Sequence, residues 1–317
     1  MDQDTQEVLF GKFESERREV ASLTKIMTIY TVLNLIDKLV IDPNTRVTVD
    51  PSVTEVIGTT ANLLPGDSLS INELLYGLML PSGNDAAHML AMHFGAHLLA
   101  EQRCKNPEST QYGHQLPILN QVRSKRNPFL VRNSQFIKDE QILAFLAEMN
   151  RNCARLDLKA SLFDSPHGLM NAASRSTAVD VAKLSAICLQ DPRFVTVVNT
   201  KFFKVSKSGP EYRNQRIYRW ENTHKMNGQL GVTSIKTGIT NSAGPCLATA
   251  VQYEPGIRLV IVLLNAKDMD CRWLETLKLG KWATKRISKI KKFNSGIAHN
   301  PQSSVDNRRI LQRIKYL

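Results

Sequence analysis

The sequence contains no Cys-x-x-Cys pair, and its five cysteines (Cys104, Cys153, Cys188, Cys246 and Cys271) are widely spaced and odd in number. That disfavours a zinc site or a disulfide framework and leaves free buried thiols as the expectation. No apolar run reaches the length of a membrane span. The opening stretch MDQDTQEVLFGK is acidic and polar, unlike a signal peptide. A Gly-x-Ser-x-Gly elbow is missing, which disfavours an α/β-hydrolase, and no phosphate-binding glycine loop appears. His93 and His97 have metal-compatible i, i+4 spacing, but the His-Glu-x-x-His pattern is absent, so they read as core or surface histidines. No cofactor and no metal is implied.

What is present is a chain of 317 residues, 42% hydrophobic and 22% charged, the composition of a folded globular protein. Its net charge of +12 is uneven. Residues 281–317 carry +9 and residues 103–138 carry +6, leaving −3 for the remainder. The basicity therefore belongs to a tail and an inserted surface segment, about 103–137, punctuated by Pro107, Pro117 and Pro128. The tail lacks the interleaved aromatics that base stacking needs, so no specific nucleic acid is expected. A weak membrane-surface or protein contact is the partner its charge allows.

Periodicity sets the element order. EVLF is apolar enough for a first strand. Ala21 to Leu39 reads as a helix apolar on one face, through Ile26, Ile29, Tyr30, Leu33 and Ile36. INELLYGLML is a second helix stopped by Pro81, and SGNDAAHMLAMHF a third with Ser82 at its start. QILAFLAEMNRNCARL is helical. Thr177 and Asp180 form a box-like start for STAVDVAKLSAICLQ. SIKTG, CLATAVQY and RLVIVLLNA then read as adjacent antiparallel strands, and Arg272 to Ile290 as a last amphipathic helix. Strand, helices, strands and a closing helix predict a sheet covered by helices, with an all-helical lobe inserted between its first and later strands.

Three short segments carry possible chemistry. ASLTK supplies Ser22 and Lys25, three apart and so on one side of a helix. PSGND supplies Ser82, Gly83 and Asn84. IKTGIT supplies Lys236, Thr237, Gly238 and Ile239. Taken singly, each has a bland reading: a chance surface pair, a helix cap, a strand end with a glycine turn. Ser288 and Lys291 repeat the Ser-x-x-Lys spacing in a basic stretch where no chemistry is expected, so spacing alone decides little. Together, Ser-x-x-Lys opening a helix, Ser-Gly-Asn between helices and Lys-Thr-Gly ending a strand match a known catalytic trio in its order and context.

With EVASLTKIMT, LMLPSGNDAA, PHGL followed by STAVDVAKLS, and GVTSIKTGIT followed by AGPCLA, the sequence resembles the serine D-Ala-D-Ala carboxypeptidases, the low-molecular-weight penicillin-binding proteins. The resemblance runs from about Met1 to about Trp282, interrupted by the insert. It implies an α/β (α+β) three-layer sandwich with an antiparallel sheet of about five strands. The catalytic domain would span 1–292, with a helical lobe at about 55–190, followed by a basic tail at 293–317. It also implies that the chain begins inside the family's first strand and lacks the family's C-terminal β-rich domain. The implied partners are a peptide ending in D-Ala-D-Ala and β-lactam inhibitors.

The chemistry asks for these residue types. A serine hydroxyl needs a base in contact, and a lysine serves only if burial or a second cation lowers its pKa. Ser22 is the expected nucleophile, Lys25 its base and Lys236 the second cation. Ser82 would relay a proton to the leaving amine, and Asn84 would hold Lys25. Gly83, Thr237, Gly238 and Ile239 are expected to contact substrate, Thr237 through its C-terminal carboxylate. The resemblance implies an oxyanion hole from the amides of Ser22 and Ile239. His224 stands where relatives commonly carry asparagine, and Ile239 where they often carry a polar or aromatic residue. The alternative functions are a non-catalytic or structural protein that kept the fold and a β-lactamase, which lacks support because no Glu-x-x-Leu-Asn string occurs.

Overall fold

A computed structural model of the chain describes residues 1–105, 140–169, 173–207 and 216–298. Most of the expected basic insert, and the tail beyond residue 298, lie outside the described residues. The helices are α1 (Thr24–Leu39), α2 (Ile71–Met79), α3 (Asn84–Lys105), α4 (Glu140–Arg155), α5 (Ala178–Cys188), α6 (Pro192–Asn199) and α7 (Cys271–Ala298). The strands are β1 (Arg46–Thr48), β2 (Ser68–Ser70), β3 (Phe202–Lys207), β4 (Arg216–Glu221), β5 (Val232–Thr240), β6 (Gly244–Glu254) and β7 (Ile257–Leu263).

The expected α/β fold class is found, with a smaller principal sheet. β5, β6 and β7 form an antiparallel three-stranded sheet, while β1–β2 and β3–β4 are separate two-stranded ribbons. The sheet thus has three strands among the described residues, not about five. EVLF is not a strand. The N-terminal pairing falls earlier, where Asp2 bridges Leu259 and the Met1 carbonyl accepts from the Val260 amide at 2.9 Å. Asp2 then turns the chain: its carboxylate accepts from the Asp4 and Thr5 amides, which ends the pairing before EVLF begins.

Strand alternation divides the sheet into two apolar faces. Ala248, Ala250 and Val260 join the main core with α1 and α5, whereas Val251, Leu259 and Ile261 meet Leu279, Ala283 and Ile287 of α7. α1 is buried on nearly every side, including Lys25, Thr28 and Thr31 as well as its apolar residues. The one-sided helix read from the sequence is therefore a central helix, with the sheet, α2–α4 and α5 around it. Val40 in the left-handed region closes it. α2 starts with a full capping box between Ser70 and Glu73. At α5 only half of the expected box forms. Thr177 accepts from the Asp180 amide, but the Asp180 carboxylate turns to the Ala160 amide and the Ser161 hydroxyl. α7 continues through residue 292, the expected domain boundary, to Ala298. No described helix is long and apolar enough to cross a membrane.

Candidate active site

The first motif is built by an irregular turn. Ala21–Leu23 form a 3₁₀ turn ahead of α1, and Ala21 has φ +48°, a left-handed conformation costly for a residue with a Cβ. The turn leaves Ser22 half-buried at the helix entrance and buries Lys25 completely in the first turn of α1. Ser22 Oγ and Lys25 Nζ are 3.0 Å apart.

Two further elements complete the surroundings of Lys25. Its Nζ donates to Asn84 Oδ1 at 2.6 Å and to the His167 carbonyl at 3.0 Å. Asn84 is the first residue of α3, and its Nδ2 donates to the Ile57 carbonyl at 2.7 Å. His167 belongs to the SPHGL loop, which lies so close to the Ser22 turn that only glycine fits at position 168. Gly168 has φ +73°, and a Cβ there would stand 2.0 Å from the Ala21 carbonyl oxygen. Ser82 precedes α3 with φ +64°, and its buried hydroxyl has no hydrogen-bond partner among the described residues. It is thus an uncommitted hydroxyl rather than a ligand of Lys25. Gly83 has no room for a side chain: a Cβ would stand 2.7 Å from the Gly77 carbonyl oxygen, which accepts its amide.

The third motif lies on β5. The β5–β6 register shifts between Ser234 and Lys236, a bulge that re-aims the residues after it. Lys236 is buried, and its Nζ donates to the Thr237 carbonyl at 3.1 Å. The Thr237 and Thr223 hydroxyls are 2.9 Å apart. Gly238 faces the Ser22 turn: a Cβ there would be 3.1 Å from the Ser22 amide nitrogen. Ile239 is 52% exposed. The structure therefore gathers Ser22, Lys25 and Asn84 into one bonded group, with the strand of Lys236, Thr237 and Gly238 against it.

Burial and charge set the protonation states. Lys25 is held well below the usual lysine range, first by burial, then by the Lys236 charge, with Asp85 opposing. Lys236 is itself lowered to about 7, by burial and by Arg272. His167 and His224 both fall to about 3, mainly through burial, with Lys25 adding repulsion to the first and Lys236 to the second. Both imidazoles are neutral at ordinary pH. Neutral His224 shares a 2.8 Å hydrogen bond with Thr249 Oγ1 of β6, the strand paired with the motif strand.

Sequence reasoning missed the His167 carbonyl, Asp85 and Arg272. Arg272 is buried on α7, where Nη1 donates to the Gly238 and Cys246 carbonyls, each at 3.2 Å, and its guanidinium lies over the Trp273 ring. A backbone carbonyl leaves no residue signature, and Arg272 is brought to Gly238 only by the closing helix. The second Ser-x-x-Lys spacing is not a site: the Ser288 hydroxyl donates to Glu254. His93 and His97 meet edge to face with ring centroids 4.9 Å apart, and the described residues contain no cluster of three or more His, Cys, Asp or Glu able to hold a metal. The thiols are mixed: Cys153, Cys188 and Cys246 are buried, Cys271 is half-buried and Cys104 exposed.

Comparison with known proteins identifies the family and the fold. A family profile described as D-alanyl-D-alanine carboxypeptidase matches residues 1–97 and 141–268, so the expected insert falls in the unmatched interval. A D-alanyl-D-alanine carboxypeptidase of Streptomyces sp. (strain K15) is 28% identical over 284 residues, covering 88% of this chain and 83% of that protein. D-alanyl-D-alanine carboxypeptidase DacD of Salmonella typhimurium is also 28% identical, covering 93% of this chain but 64% of that longer protein. The crystal structure of the Streptomyces K15 DD-transpeptidase superposes with a TM-score of 0.72 at 25% identity, over 90% of this chain and 95% of that one.

Proposed function

Because the chain belongs to the family of D-alanyl-D-alanine carboxypeptidases, we propose that it is a serine-type peptidase that removes the terminal D-Ala of a peptidoglycan stem peptide through an acyl-enzyme on Ser22. The observation that carries this reading is the buried Lys25 amine, 3.0 Å from Ser22 Oγ and bonded also to Asn84 Oδ1 and the His167 carbonyl.

Neutral Lys25 takes the Ser22 proton as Oγ attacks the penultimate D-Ala carbonyl. The oxyanion forms against the amides of Ser22 and Ile239, where losing one donor costs about 10²–10³ in rate. Ser82 passes the proton from Lys25 to the leaving amine, which departs as free D-alanine. Water then attacks the ester by the reverse proton path and regenerates Ser22. The C-terminal carboxylate is received by Thr237, with Lys236 and Arg272 supplying positive charge. Asn84 accepts from Lys25, and its carboxamide orients the substrate amide. Penicillins acylate the same serine because their lactam carbonyl and carboxylate occupy the same positions.

Incubation with a fluorescent penicillin followed by mass spectrometry tests this. The expected result is a slowly released adduct on the Ser22 peptide. An adduct on Ser82 would overturn the assignment of roles, rapid turnover would favour a β-lactamase, and an unlabelled protein would favour a non-catalytic one.

A further inference from the structure

Behind the Ser-Gly-Asn motif lies a buried carboxylate that the proposed reaction does not use. Asp85 is 3% exposed and enters α3 directly after Asn84. Its Oδ1 accepts from the Ala61 amide at 2.8 Å and from the Ala86 amide at 2.9 Å. Its Oδ2 accepts from the Thr60 hydroxyl at 2.7 Å and the Leu63 amide at 3.0 Å. One carboxylate thus ties down three residues of the segment Ile57–Leu63.

That segment is the backing of the catalytic residues. The Thr59 carbonyl accepts from the Asn84 amide at 2.8 Å, and the Thr59 hydroxyl donates to the Ser82 carbonyl at 2.6 Å. The Ile57 carbonyl accepts from Asn84 Nδ2, which fixes the carboxamide so that Oδ1 is left for Lys25. Apart from Ala61 and Leu63, the segment is exposed and has little apolar burial to hold it. Hydrogen bonds to a buried ionised acceptor are stronger than neutral ones, so the Asp85 carboxylate is well suited to fix it.

We infer that Asp85 is a positioning residue for the Ser22–Lys25 pair, acting mechanically through Ile57–Leu63 on Asn84 and Ser82 and electrostatically on the Lys25 amine. The inference rests on the roles proposed above for Ser22 and Lys25. The charged and titratable groups facing Lys25 are Lys236 from β5, Asp85 from α3 and His167 from the SPHGL loop, with His88 of α3 in turn facing His167. Of these, Asp85 supplies the negative charge. It holds the Lys25 proton and so opposes burial and Lys236.

Asp85→Asn keeps the shape, removes the charge, and places an NH2 group against backbone donors. Two effects of different kind are expected. Penicillin acylation falls by about tenfold to about 10²-fold, the scale of a small misplacement in a catalytic group. The titration midpoint of Lys25 Nζ, followed by ¹⁵N NMR without any substrate, moves to lower pH. A merely structural role would lower the melting temperature and leave that midpoint in place. Thr60→Val removes one tie from an exposed position and keeps the charge, so it lowers the rate by a few-fold with the midpoint unmoved. A folded Asp85→Asn protein with an unshifted or raised Lys25 midpoint, or with wild-type acylation, overturns the inference. If Asp85→Asn does not fold, a wild-type rate in Thr60→Val overturns it. Failure of wild-type protein to react with penicillin would refute the proposed function instead, and the NMR titration would still decide the role of Asp85.

Discussion

The carbonyl oxygen of His167 accepts a hydrogen bond from Lys25 Nζ at 3.0 Å, so a backbone atom of the SPHGL loop helps to hold the proposed base. The loop can approach that closely because Gly168 lies flat against the Ala21 carbonyl. Gly168→Ala must both adopt φ +73° with a Cβ and clear a 2.0 Å overlap with backbone. We expect destabilisation of more than about 1 kcal/mol and a loss of acylation larger than the stability loss explains. Thermal unfolding and penicillin labelling of the same sample check both; a fully active variant would show that the loop does not position Lys25.

Lys236 acts on Lys25 through charge, and the sign is fixed. Lys236 lowers the Lys25 pKa, so Lys236→Met should move the rising limb of the acylation pH profile upward and weaken carboxylate binding. The same substitution tests linkage. Folded Lys236 titrates at about 7 against 10.5 for a free lysine. Between those values the unfolded chain binds the proton that the native protein has released, and native stability rises with pH. The melting temperature should therefore climb from pH 7 towards 10 more steeply in wild type than in Lys236→Met. Equal slopes would contradict the depressed pKa.

Arg272→Gln removes the buried guanidinium that spans the Gly238 and Cys246 carbonyls. A charged hydrogen bond contributes about 1.5–3 kcal/mol, which is roughly 10- to 100-fold in an equilibrium constant. We expect that loss as a lower melting temperature, and from the lost positive charge a rise in KM that is larger for a peptide with a free C-terminal carboxylate than for one whose carboxylate is amidated. Equal losses for the two peptides would remove Arg272 from carboxylate recognition.

Ser288→Ala should leave acylation unchanged, since its hydroxyl on the last helix is engaged with Glu254 at the end of β6. A loss of labelling without unfolding would mean that the second Ser-x-x-Lys spacing carries function.

The sequence made the three motifs and their element contexts legible because each occupies a local signal: a helix entrance, a break between helices and a strand end. The β5–β6–β7 meander was equally plain, since its apolar runs pair with near neighbours along the chain. Other features depend on long-range geometry. The bulge before Lys236 is a register event between two strands. The pairing of Met1–Gln3 with β7 joins stretches far apart along the chain that no local pattern links, and EVLF resembles a strand only because it is more apolar. Burial of α1 on nearly every side was hidden by Lys25, Thr28 and Thr31, polar residues that look like a solvent face and instead bond within the interior.

The pH dependence of Ser22 acylation by penicillin, in wild type and in Lys25→Arg, tests the central assignment most directly. Free lysine titrates at about 10.5, and a base works best near the working pH. The wild-type rate should rise through a single ionisation well below that value, because Lys25 is buried beside Lys236. Arginine cannot lose its proton, so a folded Lys25→Arg protein should lose most acylation at every pH. A folded Lys25→Arg protein that acylates Ser22 at near wild-type rate, with the same rising limb, would contradict Lys25 as the base.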